Sequence, residues 1–137
     1  MKAVFADTFY FLALLNRNDL SHRRAIAASQ VGDQSYVTTE FVLLELADAL
    51  SKPPLREDFK SICALIESTN SFQLIRANSE LLHRGLTLFF DRPDKAWQLT
   101  DCISFVVMRD QGIKEALTGD RHFEQAGFRA LLRPAVD

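Results

Sequence analysis

The stretch that decides the fold is Ala3-Val4-Phe5-Ala6-Asp7-Thr8-Phe9-Tyr10-Phe11-Leu12-Ala13-Leu14-Leu15. Its first four residues form a short apolar run, which predicts a buried strand. Residues 8 to about 16 are rich in Phe, Leu and Ala, which predicts a helix. Asp7 stands where the predicted strand ends and the helix begins, so the sequence places a carboxylate at one edge of a sheet.

Apolar runs of strand length alternate with helical segments along the rest of the chain. Predicted strands cover residues 3–6, 35–38, 72–75, 115–118 and 130–132. Predicted helices cover residues 8–16, 21–31, 40–51, 56–68, 79–90 and 101–111, with a short helical turn at 122–125. This alternation is typical of parallel βαβ units with right-handed crossovers and helices on both faces of the sheet. The predicted fold class is α/β.

Helix starts are predicted from residues that commonly cap helices. Thr38 and Thr39 precede the helix at 40, and Asn78 or Ser79 precedes the helix at 79. Thr100 is the expected cap of the helix that begins at Asp101.

Size and charge restrict the class of protein. The 137 residues are 47% hydrophobic, which suits one globular domain spanning 1–137. A net charge of −2 leaves no overall basic field to attract nucleic acid, so any such contact is expected to be local. The two isolated cysteines suit a reducing compartment. The apolar stretch at 4–15 is too short for a membrane span, and no secretory signal is recognisable. We therefore expect a soluble, cytoplasmic protein.

Four acidic residues in apolar surroundings form the predicted site: Asp7, Glu45, Asp101 and Asp120. Three of them lie at strand-to-helix junctions, and such junctions meet at the carboxyl edge of a parallel sheet. Two carboxylates about 4 Å apart repel by roughly 4 kcal/mol at an effective dielectric near 20. A bound Mg²⁺ or Mn²⁺ relieves that repulsion, so the cluster predicts a divalent-cation site.

Each acid also has a local explanation that needs no metal. Asp7 and Asp101 are placed to stabilise helix N-termini electrostatically. Glu45 belongs to a solvated helix face if it shares that face with Asp48 and Lys52. Asp120 follows Gly119, and the pair is common in turns. The residues alone leave both explanations open.

The other polar and aromatic residues favour ordinary structural roles. His22 and His83 suit exposed helix positions, and His122 suits a cap or a secondary contact near Asp120. No zinc motif or glycine-rich phosphate loop is present in the sequence. Five phenylalanines are expected in the core rather than as a surface for stacking bases: Phe41, Phe72, Phe89, Phe90 and Phe105.

Four segments in order resemble the PIN domain, and especially the VapC-type toxin ribonucleases. They are Asp7-Thr8, Thr39-Glu40-Phe41-Val42-Leu43-Leu44-Glu45-Leu46, Leu99-Thr100-Asp101-Cys102-Ile103-Ser104-Phe105, and Leu117-Thr118-Gly119-Asp120-Arg121-His122-Phe123. The resemblance spans nearly the whole chain and is based on the order and spacing of the acids rather than on one decisive motif.

This resemblance implies a single compact α/β/α sandwich with a central, mainly parallel sheet. It implies a metal-dependent endoribonuclease that hydrolyses RNA phosphodiester bonds, the toxin of a type II toxin-antitoxin system. The family's catalytic, metal-binding acids match Asp7, Glu45, Asp101 and Asp120, and its small polar positions beside the metal match Thr8 and Thr118. Implied partners are Mg²⁺ or Mn²⁺, RNA, an antitoxin protein and a second copy of the chain.

Two departures from the family pattern concern the shape of the pocket and the number of metals. Phe9 stands where a small residue often follows the Asp-Thr pair, and Arg121-His122 follows Asp120 where some relatives have further acids. The alternative from another functional class is a noncatalytic PIN-like module that binds RNA or protein. Retention of all four acids favours the nuclease.

Overall fold

A computed structural model describes residues 2–134 of the chain. Within them, five strands form one sheet: β1 (Lys2–Ala6), β2 (Gln34–Thr39), β3 (Phe72–Ile75), β4 (Glu115–Leu117) and β5 (Arg129–Ala130). Seven helices connect and flank the strands: α1 (Thr8–Leu15), α2 (His22–Ser29), α3 (Glu40–Ala49), α4 (Leu55–Ser68), α5 (Ser79–Asp91), α6 (Leu99–Gln111) and α7 (Arg121–Gln125).

The sheet has the strand order β3-β2-β1-β4-β5, and all of its pairings are parallel. Strand β1 therefore lies at the centre, between β2 and β4. Parallel neighbours need crossover connections, and helices supply these here. The predicted α/β class with a central parallel sheet is confirmed.

The register of the central strands places their carboxyl ends at one edge. Ala6, the last residue of β1, pairs with Leu117, the last residue of β4. On the other side of β1, the Thr38 hydroxyl of β2 donates a 2.8 Å hydrogen bond to the Ala6 carbonyl. The next residues, Asp7 and Thr118, consequently leave the sheet side by side.

Aromatic side chains form a continuous part of the core beneath this edge. The Phe105 ring lies 4.9 Å from that of Phe123 and 5.1 Å from that of Trp97, both in edge-on arrangements. Phe5 of β1 lies 6.5 Å from Phe123. Such edge-to-face contacts add to the free energy of apolar burial. These ring contacts pack β1, α6 and α7 against one another, and these are the elements that carry or adjoin Asp7, Asp101 and Asp120.

Two predicted helix caps are confirmed and one is wrong. Thr39 accepts a hydrogen bond from the Val42 amide, and Asn78 accepts one from the Leu81 amide. Thr100, however, lies inside α6, whose N-cap is Gln98. The helix begins earlier because the Asp101 carboxylate reaches back to the Gln98 amide, at 3.0 Å.

Two other sequence expectations are wrong in detail. The last strand is Arg129–Ala130 rather than 130–132, although the Leu131 and Leu132 amides still donate to the carbonyls of Ala116 and Thr118. Phe89 and Phe90 are 40% and 70% exposed instead of buried. They lie in the last turn of α5, whose buried residues are Leu81 and Gly85.

No helix within residues 2–134 is both long enough and apolar enough to cross a membrane.

A close approach of α5 to α6 at Gly85 gives a stability prediction. A Cβ at position 85 would lie 2.4 Å from Cγ1 of the buried Ile103. We expect Gly85→Ala to lower the free energy of unfolding by about 1 to 2 kcal/mol, because overpacking outweighs the gain in helix propensity. Urea denaturation measures the change. The matched control is Gly32→Ala, where a Cβ meets nothing within 4 Å, and equal stability of the two variants would contradict the prediction.

Candidate metal site

Asp7 lies at the centre of the predicted site and is buried, with 5% of its surface exposed. It is the N-cap residue of α1, yet its side chain makes no capping hydrogen bond. Its Oδ2 atom instead accepts a 2.8 Å hydrogen bond from the Thr118 hydroxyl, 111 residues away. Helix capping therefore does not account for this carboxylate.

Burial raises the pKa of Asp7 to about 7. The neighbouring charges of Asp101 and Glu45 raise it further, while hydrogen bonds from the Thr118 hydroxyl and the Thr8 backbone oppose the rise. Desolvation and like charge both favour the neutral form of a carboxylic acid. A cation beside Asp7 would reverse both effects.

Glu45 of α3 joins the site through Thr8. The Thr8 hydroxyl donates a 2.5 Å hydrogen bond to Glu45 Oε1. Glu45 is half-buried, whereas Asp48 on the next turn is exposed. The solvated-face explanation thus fits Asp48 and not Glu45, whose carboxylate contacts the start of α1.

Asp101 of α6 is buried, with 6% of its surface exposed. Its Oδ2 atom accepts a hydrogen bond from the Gln98 amide and lies 3.1 Å from His122 Nδ1. Burial raises the pKa of Asp101, and the charge of Asp120 raises it further, whereas the contacts with Gln98 and His122 lower it. The helix-start explanation holds for Asp101, but the same carboxylate also faces Asp120.

Asp120 is the N-cap residue of α7 and is partly exposed, with 35% of its side chain accessible. Its Oδ1 atom accepts a hydrogen bond from the His122 amide at 2.9 Å and lies 3.4 Å from His122 Nδ1. Its own amide donates to the Thr118 hydroxyl at 3.1 Å. The predicted turn role is thus real, and it orients the carboxylate toward Asp101 and His122.

Three residues lie close enough to hold one cation. Each of Asp101, Asp120 and His122 offers a ligand atom, and these atoms all lie within 4.8 Å of one another. Asp7 and Glu45 are outside this group of three. Asp7 is close enough to feel it, since the charges of Asp101 and Glu45 both raise the pKa of Asp7. Thr8 and Thr118 connect the acids by hydrogen bonds.

His122 was expected to be a cap or a secondary contact near Asp120, and it does contact Asp120 through its amide and its ring. Sequence reasoning missed that the ring also reaches Asp101, which makes His122 a candidate ligand. Its position two residues after Asp120, at the start of a short helix, was the available signal. His22 was also misjudged, because its Nδ1 atom lies 2.7 Å from the Ala13 carbonyl oxygen and the residue is half-buried.

The donor set fits a divalent cation. Carboxylate oxygens suit Mg²⁺ and Mn²⁺, and an imidazole nitrogen extends the set to transition metals. The raised pKa values of Asp7 and Asp101 reflect negative charge gathered out of water, which a cation neutralises. Asp101, Asp120 and His122 are the residues placed to hold it.

Solved structures supply the comparison with known proteins, since no family model and no curated protein matches this sequence. VapC20 of Mycobacterium tuberculosis, described as a toxin that cleaves the sarcin-ricin loop, superposes with a TM-score of 0.79 at 25% identity. The match covers 91% of this chain and 95% of that one.

Two more distant structures share the fold. VapBC2 from Rickettsia felis, bound to a DNA fragment from its promoter, gives a TM-score of 0.66 at 13% identity, covering 93% of this chain and 96% of that one. VapBC-1 from nontypeable Haemophilus influenzae gives a TM-score of 0.64 at 12% identity, and the match covers 94% of this chain and 98% of that one. The chain has the fold of a VapC-type PIN domain, as the ordered acids predicted.

The raised pKa of Asp7 predicts how stability depends on pH without metal. Folded protein holds the Asp7 proton up to about pH 7, whereas the ordinary value is 3.8. The folded state therefore binds more protons between these values, and the free energy of unfolding should fall as pH rises from 4 to 7. The free energy of unfolding that is lost through Asp7 is on the order of 4 kcal/mol, because each unit of pKa shift corresponds to about 1.4 kcal/mol. Denaturation in EDTA across this range measures it.

In the Asp7→Asn variant, the free energy of unfolding should change much less with pH between 4 and 7. The remaining slope should come from Asp101, whose pKa is also raised. The matched control is Asp94→Asn. Arg92 lowers the pKa of Asp94 to about 2, so this exposed residue stays ionised from pH 4 to 7 and should leave the slope unchanged. A slope in Asp7→Asn equal to that of wild type would contradict the burial argument.

Proposed function

We propose that this chain is a divalent-metal-dependent endoribonuclease that acts as the toxin of a type II toxin-antitoxin pair. The main support is the meeting of Asp101, Asp120 and His122 within 4.8 Å, beside the buried Asp7, on a VapC-type PIN fold. A noncatalytic binding protein has no need of buried like charges, which lower its stability.

RNA is the substrate class that we propose. VapC20, the 25% identical neighbour, is described as cleaving the sarcin-ricin loop, and its match extends over most of both chains. The net charge of −2 means that overall attraction does not bring RNA to this protein. Recognition must instead depend on local contacts and on cations held at the acidic site.

The proposed mechanism assigns a distinct task to each residue. Asp101 and Asp120 would hold the cation, with His122 as a third donor or as a hydrogen-bond partner that orients them. A bound Mg²⁺ or Mn²⁺ lowers the pKa of water and stabilises charge on the phosphoryl group. Asp7, once ionised, would orient or deprotonate the attacking water. Thr118 fixes the direction of the Asp7 carboxylate, and Thr8 fixes that of Glu45.

An antitoxin partner and a cytoplasmic location complete the proposal. Two of the structural neighbours are VapBC proteins, which supports a partner for this chain as well. Its two free cysteines suit a reducing compartment, where cellular RNA is available.

Cleavage of RNA by the purified chain should require Mg²⁺ or Mn²⁺ and stop with EDTA. Asp7→Asn and Asp101→Asn should each lower the cleavage rate by roughly 100-fold or more. Asp101→Asn removes a proposed ligand of the cation, and Asp7→Asn removes the carboxylate proposed to orient or deprotonate the attacking water. Gel analysis of labelled RNA measures the rate, and circular dichroism checks the fold.

Asp94→Asn is the matched control, since Asp94 is exposed and pairs with Arg92 outside the site. It should cleave at the wild-type rate. In cells, expression of the chain should arrest growth, Asp101→Asn should relieve the arrest, and co-expression of the adjacent gene product should do the same. RNA binding without cleavage under every metal condition would favour the noncatalytic module.

Self-association is the remaining part of the proposal. Large apolar side chains are exposed on the described surface, among them Leu44 at 63% and Phe90 at 70%. Exposed apolar surface commonly marks an interface. We expect a homodimer at roughly tens of micromolar, measured by analytical sedimentation. A monomer at that concentration would contradict this part and leave the nuclease assignment unaffected.

A further inference from the structure

The turn that carries Asp120 is held from two sides. On one side, the Thr118 hydroxyl donates to Asp7 and accepts from the Asp120 amide. On the other, Arg133 Nη1 donates to the Gly119 carbonyl at 3.4 Å. The position of the Asp120 carboxylate consequently depends on the backbone of residues 118–120.

Phe9 of α1 lies directly against this turn at Gly119. A Cβ built on Gly119 would lie 2.3 Å from Phe9 Cζ, 2.7 Å from Cε1 and 2.9 Å from Cε2. All three distances are well below the 3.5 to 4.0 Å of an ordinary carbon contact. The outer edge of the ring thus occupies the space that any side chain at position 119 would need.

The glycine is required by this contact and not by backbone conformation. The described glycines with positive φ are Gly112 and Gly127, so Gly119 has a backbone that other residues adopt. The three atoms nearest to that Cβ all belong to the Phe9 ring. Phe9 and Gly119 therefore form a complementary pair across the site.

We propose that Phe9 is a positioning residue for the metal site, acting through Gly119 on Asp120. The ring supports the turn at the point where the chain passes from Thr118, which binds Asp7, to Asp120, which faces Asp101 and His122. Metal ligands need placement to within about 0.5 Å. A Cβ 2.3 Å from Phe9 Cζ forces either the ring or the turn to move by more than that, and the ring is packed against the turn. The proposal rests on the metal-dependent function proposed above and adds a residue that does not touch the metal.

A cycle of four proteins tests the pair through metal affinity. Isothermal titration with Mn²⁺ is carried out on wild type, Phe9→Ala, Gly119→Ala and the double variant. Gly119→Ala should weaken Mn²⁺ binding by about 10-fold or more, the usual effect of disturbing groups that orient metal ligands. Phe9→Ala should weaken binding less, because the turn loses support but meets no clash. The double variant should bind as tightly as Phe9→Ala, since removal of the ring makes room for the added methyl group.

Two matched controls separate positioning from general effects of the substitutions. Gly32→Ala adds a methyl group where nothing lies within 4 Å, and Phe89→Ala removes a ring that is 40% exposed on α5. Both should bind Mn²⁺ as wild type does. Phe9→Leu, which refills part of the space, should recover affinity relative to Phe9→Ala. Melting in EDTA shows which variants are folded.

The outcomes distinguish this proposal from the function on which it rests. If wild type binds Mn²⁺ and cleaves RNA while Gly119→Ala binds equally well, the pairing is overturned and the nuclease stands. Additive losses in the double variant also overturn the pairing. If Gly119→Ala does not fold, the test is the comparison of Phe9→Ala with the double variant. Equal Mn²⁺ affinity of these two proteins supports the proposal, and weaker binding by the double variant overturns it. A wild-type protein without Mn²⁺ affinity overturns both.

Discussion

The hydrogen bond from the Thr118 hydroxyl to the Asp7 carboxylate connects side chains from the two ends of the chain at the site. It forms because β1 and β4 are parallel neighbours whose last residues, Ala6 and Leu117, are in register. The same hydroxyl accepts from the Asp120 amide, so one side chain orients acids from both strand ends. The geometry of the site follows from this register, and the helices after each strand only need to begin at the correct residue.

The acids meet in a way that lowers the stability of the metal-free protein. Asp7 and Asp101 are both buried, and burial and like charge raise the pKa of each. The hydrogen bond from the Thr118 hydroxyl offsets part of that cost at Asp7 without removing the charge. Binding of a cation would therefore be coupled to folding stability, because the ion would favour the ionised carboxylates that burial disfavours.

The central features of this structure were predictable from sequence because they follow from simple regularities. Apolar runs alternating with helical segments imply a parallel sheet, and a parallel sheet brings Asp7 and Asp120 to one edge. Contacts set by side-chain direction were not predictable in this way. The Thr8 bond to Glu45, the place of His122 between two acids and the cap at Gln98 each depend on the residue at which a helix begins. Phe9 was recognised as unusual from sequence, but its partner Gly119 is distant in the chain and emerged only from the packing.

The two outer strands of the described sheet are short, four residues in β3 and two in β5. An outer strand exposes unpaired backbone groups that attract the strands of other molecules, and short strands offer few of them. Copies of this chain therefore have little opportunity to extend one another's sheet. Short outer strands thus leave the sheet with little unpaired backbone, which protects this fold from the edge-to-edge pairing that leads to fibrous aggregation.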